Sequence, residues 1–326
     1  MTDATYPWQG GTIQMLDDAA LRALGLQQIQ IVDTIEHALH AQADGQIWTS
    51  PKATLTPGDQ RYMMTTLSAS DTPAVSVVKV VSVSPKNAAA RRPAINGSIM
   101  LHDSQTGMLV AVLDANWITA VRTAGLSGVV ARKLANPGST SVAFVGAGVQ
   151  ARSHLDCFAA LFPLTRISIF GRGQQNIDHL SAHARQMGLQ VDVCDTAQAA
   201  VSDADLVVTS VTVTTLEEAF LDAGWLKPGA FATITDTGAP WRQETMGALD
   251  RIVIDDLTQE TAMKKKMVPP DLVSTDLNGL ISGALSDGYV PQSRTAFVFR
   301  GIAIGDFAIA ALAYQTAMKA QAPVGV

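Results

Sequence analysis

Lys79, Arg122 and Asp236 are residues whose type and setting suit chemistry on a small anionic substrate. Lys79 stands in AVSVVKVVSVS, residues 74–84, a run rich in β-branched residues between Pro73 and Pro85 that predicts a strand. With a period of two, Val75, Val77, Lys79, Val81 and Val83 share the more apolar face. Burying an unpaired ammonium is costly. Lys79 is therefore expected either to snorkel to water from an edge strand or to meet a carboxylate or substrate anion, with a lowered pKa. Arg122 lies among small residues in the helical stretch AVRTAG. A guanidinium so placed suits a bidentate carboxylate or phosphate contact, the alternative being a solvated helix arginine. Asp236 ends the strand AFATITD, and ligands of open α/β sheets bind at strand carboxyl ends. An aspartate starting a turn or capping a helix is the plainer reading. Asp255 and Asp256 end the next strand similarly, with a weaker case.

Gly146-Ala147-Gly148-Val149-Gln150-Ala151 follows the strand SVAFV and opens a helix. In such a G-x-G-x-x-A turn the first glycine makes the bend and the second lets a pyrophosphate approach the backbone. The third small residue brings helix and strand together. Phosphate charge then rests on the free N–H groups of the helix N-terminus. Gly146, Gly148, Val149 and Gln150 are accordingly expected at a dinucleotide, and Thr123 and Thr212 are placed with them. The end of the following strand, where an acidic residue would select NAD, reads Ile169-Phe170-Gly171-Arg172-Gly173. An arginine beside that position accommodates a 2′-phosphate. NADP(H) is favoured, NAD(H) is possible, and the alternative is that Arg172 is a plain surface residue.

These residues must be positioned by two kinds of structure. The first part predicts a helix over 34–42, strands over 61–66 and 74–84, and a hairpin of 97–103 with 108–113, an antiparallel-rich α+β unit. WITAVRTAGLSGVVARKLA, from Trp117, has helical periodicity and ends before Pro137-Gly138. From Ser141 apolar strands alternate with helices, the signature of a parallel sheet covered on both faces. A last strand over 295–300 leads to a helix over 305–320 that can return to the first unit.

The 326-residue length suggests about two domains, and 47% apolar against 16% charged residues gives ample core. Net charge is −6, with no basic cluster beyond Lys264-Lys265-Lys266, so a nucleic-acid partner is not expected. The segment MTDATYPWQGG lacks the basic residues and apolar core of a signal peptide. The longest apolar run, 297–313, is interrupted by Arg300 and Asp306, which argues against a membrane span. Cys157 and Cys194 form no metal-ligand pattern and fit a reducing compartment, so a cytoplasmic location is expected.

Taken together, five segments resemble the ornithine cyclodeaminase/μ-crystallin family: VKVVSVSPKN, LHDSQTGMLVAVLDANWITAVRTAGLSGVVARKLA, FVGAGVQAR, ITDTGAPWRQE and FRGIAIGDFAIAALA. Their order and spacing cover most of the chain. The resemblance implies an α/β fold in which a Rossmann doubly wound parallel sheet, residues 121–301, is inserted in an α+β substrate and dimerisation domain, residues 1–120 plus 302–326. It implies a homodimer, Lys79 near the reacting carbon, Arg122 on the substrate carboxylate and Asp236 as catalytic aspartate. Members often place an arginine after an early proline. Here Pro51-Lys52 stands there, as in the alanine-dehydrogenase-like members, with Arg61 in the following strand. Lys52 and Arg61 are thus further carboxylate-binding candidates. Cyclodeaminases carry Asn-Gly-His-Pro after the lysine, where this chain has Ser82-Val83-Ser84-Pro85. The family's late Phe-Lys-Ser is Phe299-Arg300-Gly301. These departures favour the family's reductases: an NAD(P)H-dependent reductase of small α-imino acids, such as pyrroline-2-carboxylate or piperideine-2-carboxylate. The alternatives are an ornithine cyclodeaminase, an alanine dehydrogenase-type amination, and a non-catalytic NADPH-dependent ligand binder.

Overall fold

A computed structural model describes residues 12–90, 92–212, 216–285 and 288–321. The stretch 1–11, read above for a signal peptide, and residues 322–326 of the first assigned unit lie outside the described residues. The chain opens with β1 (Gln14–Leu16), α1 (Asp18–Ala23) and α2 (Gln28–Ala43). β2 (Ile47–Thr49), β3 (Ala53–Leu55), β4 (Tyr62–Asp71), β5 (Ala74–Val83), β6 (Ile95–Asp103) and β7 (Leu109–Asp114) follow. They form one sheet in the order β1-β7-β6-β5-β4-β2, with β3 also on β4. Pairing is antiparallel except between β1 and β7.

α3 (Ala115–Leu134) leads into β8 (Ser141–Val145), α4 (Val149–Leu161), β9 (Arg166–Phe170), α5 (Gln174–Gln186), β10 (Gln190–Val193) and α6 (Ala197–Val201). Then come β11 (Leu206–Thr209), β12 (Phe231–Ile234), β13 (Arg251–Ile254), α7 (Leu257–Ala262), β14 (Val273–Asp276), α8 (Leu277–Ile281), β15 (Thr295–Val298) and α9 (Ala303–Gln321). The strands from β8 onward build a second sheet, parallel throughout, in the order β10-β9-β8-β11-β12-β15-β13-β14. This is the expected doubly wound α/β arrangement. Strand β8 shows why such strands are apolar at every position. Val142 and Phe144 enter the core shared with α3 and α4, and Ala143 and Val145 enter the core on the opposite face.

The helix that joins the two sheets is α3. Asp114 caps it by accepting the N–H groups of Asn116 and Trp117, and it runs unbroken through residues 120 and 121, where the sequence divides its two units. It is buried between neighbours because its small residues leave no room: a Cβ at Gly125 would meet Ile35 Cδ1 at 2.5 Å, and one at Gly128 would meet Cys157 Sγ at 2.7 Å. α9 packs on α2, α3, β4 and β5, returning the chain end to the first sheet. Helix α2 begins well before the expected residue 34. Its N-cap, Gln27, makes no side-chain capping bond, so the sequence carries no start signal there. Among the described residues no helix is long and apolar enough to cross a membrane.

Candidate active site

Strand β5 lies between β4 and β6, so Lys79 is not on an edge and cannot snorkel out. Its alternation holds: Val75, Val77, Lys79 and Val81 are buried. The Lys79 ammonium donates to Asp306 Oδ1 at 2.7 Å and to Thr119 Oγ1 at 3.3 Å. Arg122 Nε lies 3.1 Å from that same Asp306 oxygen, as an ion pair out of line for a hydrogen bond, and Thr66 Oγ1 donates to Asp306 Oδ2 at 3.4 Å. Burial pulls Lys79 down to about 8, against the opposing pull of Asp306. Burial pushes the Asp306 carboxyl up, but Lys79 and Arg122 outweigh it and hold the group below the usual carboxylate range. Asp306 thus stands as an anion beside two basic side chains. Arg122 keeps a buried Nη1 with no hydrogen-bond partner among the described residues, a donor of the kind that a carboxylate ligand satisfies.

Lys52 joins this cluster through the β15–α9 turn, donating to the carbonyl of Arg300 at 3.0 Å. Burial lowers its pKa to about 8, and Asp255 opposes the shift. Asp255, at the end of β13, accepts the N–H groups of Arg300 and Gly301 at 2.9 and 2.8 Å. Burial raises it to about 6. The guanidinium of Arg300 is turned away, its Nε bonded to Glu260 at 2.8 Å. Arg61 is not part of this group. It is exposed and its Nε is bound to Asp59 at 2.8 Å, because a charge on the loop before β4 finds a local partner in water more readily than a distant one.

Asp236 falls just past β12, as its strand-end position required. Thr209 Oγ1 donates to Oδ1 at 3.1 Å, the Val211 N–H donates to Oδ2 at 3.0 Å, and Trp241 Nε1 donates to Thr209 Oγ1 at 3.3 Å. Thr237 and Gly238 then adopt φ of 59° and 73°, turning the chain sharply away. Burial pushes Asp236 up to about 7, with the two hydrogen bonds opposing it. Among the described residues, no hydrogen bond or ion pair ties it to Lys79 or Arg122. Sheet register relates the two groups: Ile234 pairs with Val298 and Val298 with Ile254, so Asp236, Arg300 and Asp255 stand along one carboxyl edge.

Along the same edge, beyond β11, runs a groove of about 730 Å³ lined by Gly146, Gly148, Arg172, Asp195, Ser210 and Thr212, among others. Gly146 has φ 95°, and a Cβ there would meet the Ser210 carbonyl at 2.7 Å, whereas a Cβ at Gly148 would meet nothing within 4 Å among the described residues. The first glycine thus makes the turn and the second leaves open space where a pyrophosphate would approach. Gln150 Oε1 and Ser210 Oγ are buried without hydrogen-bond partners among the described residues. These features fit a dinucleotide on the N-terminus of α4. Val149 is exposed at the first turn of α4, while Thr123 is buried in α3, donating to the Thr119 carbonyl at 2.6 Å, and is not a wall of the groove. Sequence reasoning did not assign Asp306. Its only signal was an aspartate inside an apolar run.

Behind the groove, His154 Nδ1 lies 2.8 Å from the Gln150 carbonyl, and its Nε2 2.9 Å from Ser127 Oγ, which is 2.7 Å from Thr233 Oγ1. A carbonyl only accepts, so Nδ1 carries the proton and Nε2 accepts from Ser127. This buried chain ties α3, α4 and β12 together.

The family model for the ornithine cyclodeaminase/mu-crystallin family matches residues 14–321. Ketimine reductase mu-crystallin of Rattus norvegicus is 31% identical over 228 residues, 69% of this chain and 70% of that protein. Alanine dehydrogenase of Archaeoglobus fulgidus is 24% identical over 302 residues, 89% of this chain and 91% of its own. Thermococcus litoralis Δ1-pyrroline-2-carboxylate reductase, solved in complex with NADH and L-proline, superposes with a TM-score of 0.85 at 21% identity. The match covers 96% of this chain and 100% of that one. With its fold, its glycine turn and a family match spanning nearly its whole length, the chain belongs to the ornithine cyclodeaminase/mu-crystallin family.

Proposed function

We propose that the protein is an NADPH-dependent reductase of small α-imino acids, cyclic ketimines such as pyrroline-2-carboxylate or piperideine-2-carboxylate being the substrate class. The observation that carries this reading is the buried pair of Lys79 and Arg122 on Asp306, with a guanidinium nitrogen unpartnered among the described residues; Arg122 lies against Gly301 of the β15–α9 turn, at the carboxyl edge of the second sheet that also carries Asp236 and the dinucleotide groove. Arg122 and Lys52 bind the substrate carboxylate and so fix the imine carbon in place. Lys79 adds positive charge beside them. Asp236, poised near neutrality, gives a proton to the imine nitrogen and then faces the resulting cation as a carboxylate. The bound nicotinamide supplies the hydride. Gly146, Gly148, Gln150 and Thr212 hold the dinucleotide, and Arg172 in the groove wall favours a 2′-phosphate over the bare ribose.

Residues 1–120 plus 302–326 are assigned to substrate binding and dimerisation, and 121–301 to the dinucleotide. The protein is assigned a homodimeric state because the outer face of the first sheet presents exposed Trp48, Leu67 and Val80, apolar area of a kind that a second copy covers. Its free cysteines fit the cytoplasm.

The test is oxidation of NADPH and of NADH with pyrroline-2-carboxylate, piperideine-2-carboxylate, and pyruvate with and without ammonium. Fast ammonium-independent oxidation of NADPH by a cyclic ketimine is expected. Activity only with pyruvate plus ammonium, or turnover of ornithine without added reductant, overturns the reading.

A further inference from the structure

Asp306 draws together four elements far apart in sequence. It lies in the first turn of α9, almost fully buried. One of its oxygens meets Lys79 of β5 and Arg122 of α3, and the other meets Thr66 of β4. The charged groups around it are Lys79, Arg122 and, farther off, Lys52, with Asp255 facing Lys52. Without the Asp306 charge two buried cations would face each other with no anion between them, an arrangement that expels a proton or pushes the side chains apart. A substrate carboxylate would then have to supply all of the compensation itself, in a geometry not fixed beforehand.

We infer that Asp306 is a positioning residue for the reaction: its single carboxylate holds the Lys79 ammonium and the Arg122 guanidinium in the orientation in which they receive the substrate's carboxylate. This rests on the imino acid reading for its kinetic consequence, but not for its effect on Lys79. By cancelling one of two positive charges, Asp306 leaves the pair with the capacity for one further negative charge, which suits a substrate with one carboxylate.

The experiment combines two measurements on the full-length protein. In the first, protein labelled with [6-13C]lysine is titrated by NMR, the Lys79 signal being assigned with Lys79→Arg. Asp306→Asn is expected to lower the Lys79 pKa by about one unit or more. In the second, kcat and KM for the imino acid are measured across pH. The basic limb of kcat/KM should move down with the Lys79 titration, and KM should rise by about 5- to 50-fold while the Kd for NADPH stays constant. Asp306→Glu keeps the charge but displaces it by one methylene, so it should raise KM with the Lys79 titration retained, which also decides the matter if the asparagine variant does not fold. A Lys79 titration unchanged in Asp306→Asn, or a wild-type KM in Asp306→Glu, overturns the inference. Absence of turnover with every imino acid overturns the functional reading instead, and leaves the NMR result standing on its own.

Discussion

Gly301 lies directly against the guanidinium of Arg122: a Cβ at 301 would come 3.0 Å from Nη1 and 3.2 Å from Nη2. Its φ of 91° is one that other residues rarely adopt. Both facts keep the position small. Gly301→Ala is expected to displace Arg122 and strain the turn, lowering kcat/KM by about 10- to 100-fold, mostly through KM. Steady-state kinetics with the imino acid, beside a thermal melt, checks this; an unchanged KM would show that Arg122 does not hold the substrate.

Asp236 carries a sign that can be tested without substrate. Its pKa rises from 3.8 unfolded to about 7 folded. The folded state therefore holds the proton more tightly, and this stabilisation, full below pH 3.8, is lost as pH rises through 7. In Asp236→Asn the amide can donate to Thr209 Oγ1 and accept from the Val211 N–H, so packing is preserved. The variant is expected to lose turnover and to gain stability relative to wild type as pH rises from 4 to 8, by an amount on the order of a few kcal/mol. Urea unfolding at both pH values measures it.

His154 has the opposite sign. Burial holds it near 4, against 6.5 unfolded, so its contribution is full above pH 6.5 and is lost as pH falls through 4. Wild-type stability should decline over that window by about 3 kcal/mol from this group. In His154→Phe the curve should be flatter over the same window, though lower throughout. Equal slopes for the two proteins would mean that His154 is not buried in its neutral form.

Arg172 is expected to set the cofactor preference. Arg172→Ala should lower kcat/KM for NADPH by about 10- to 100-fold, the worth of one or two charge-assisted hydrogen bonds, with NADH little affected. Parallel kinetics with the two cofactors reads the ratio, and an equal loss for both would move Arg172 off the 2′-phosphate.

Much of this arrangement was legible in the sequence because it depends on local pattern. The period-two alternation around Lys79 places it on the buried face, and the strand–glycine–helix sequence locates the dinucleotide turn. Asp236 is readable as a strand-end carboxylate. Asp306 was not, because its partner Lys79 is 227 positions away, and an isolated aspartate in an apolar helix carries no sign of what it meets. Arg61 shows the converse: its charge suited a carboxylate, but Asp59 two residues earlier satisfies it. The short strands β1 to β3 are set by their neighbours in the sheet rather than by their own residues.

Helix α3 holds Arg122 against Asp306 and, further along, Ser127 against His154 of the helix that follows the glycine turn. One helix therefore touches both the Asp306 cluster and the helix that follows the glycine turn, wedged by Gly125 and Gly128 against its neighbours. The spacing of those two contacts, at Arg122 and Ser127, is set by helical rise, about 1.5 Å per residue. The helix works as a gauge.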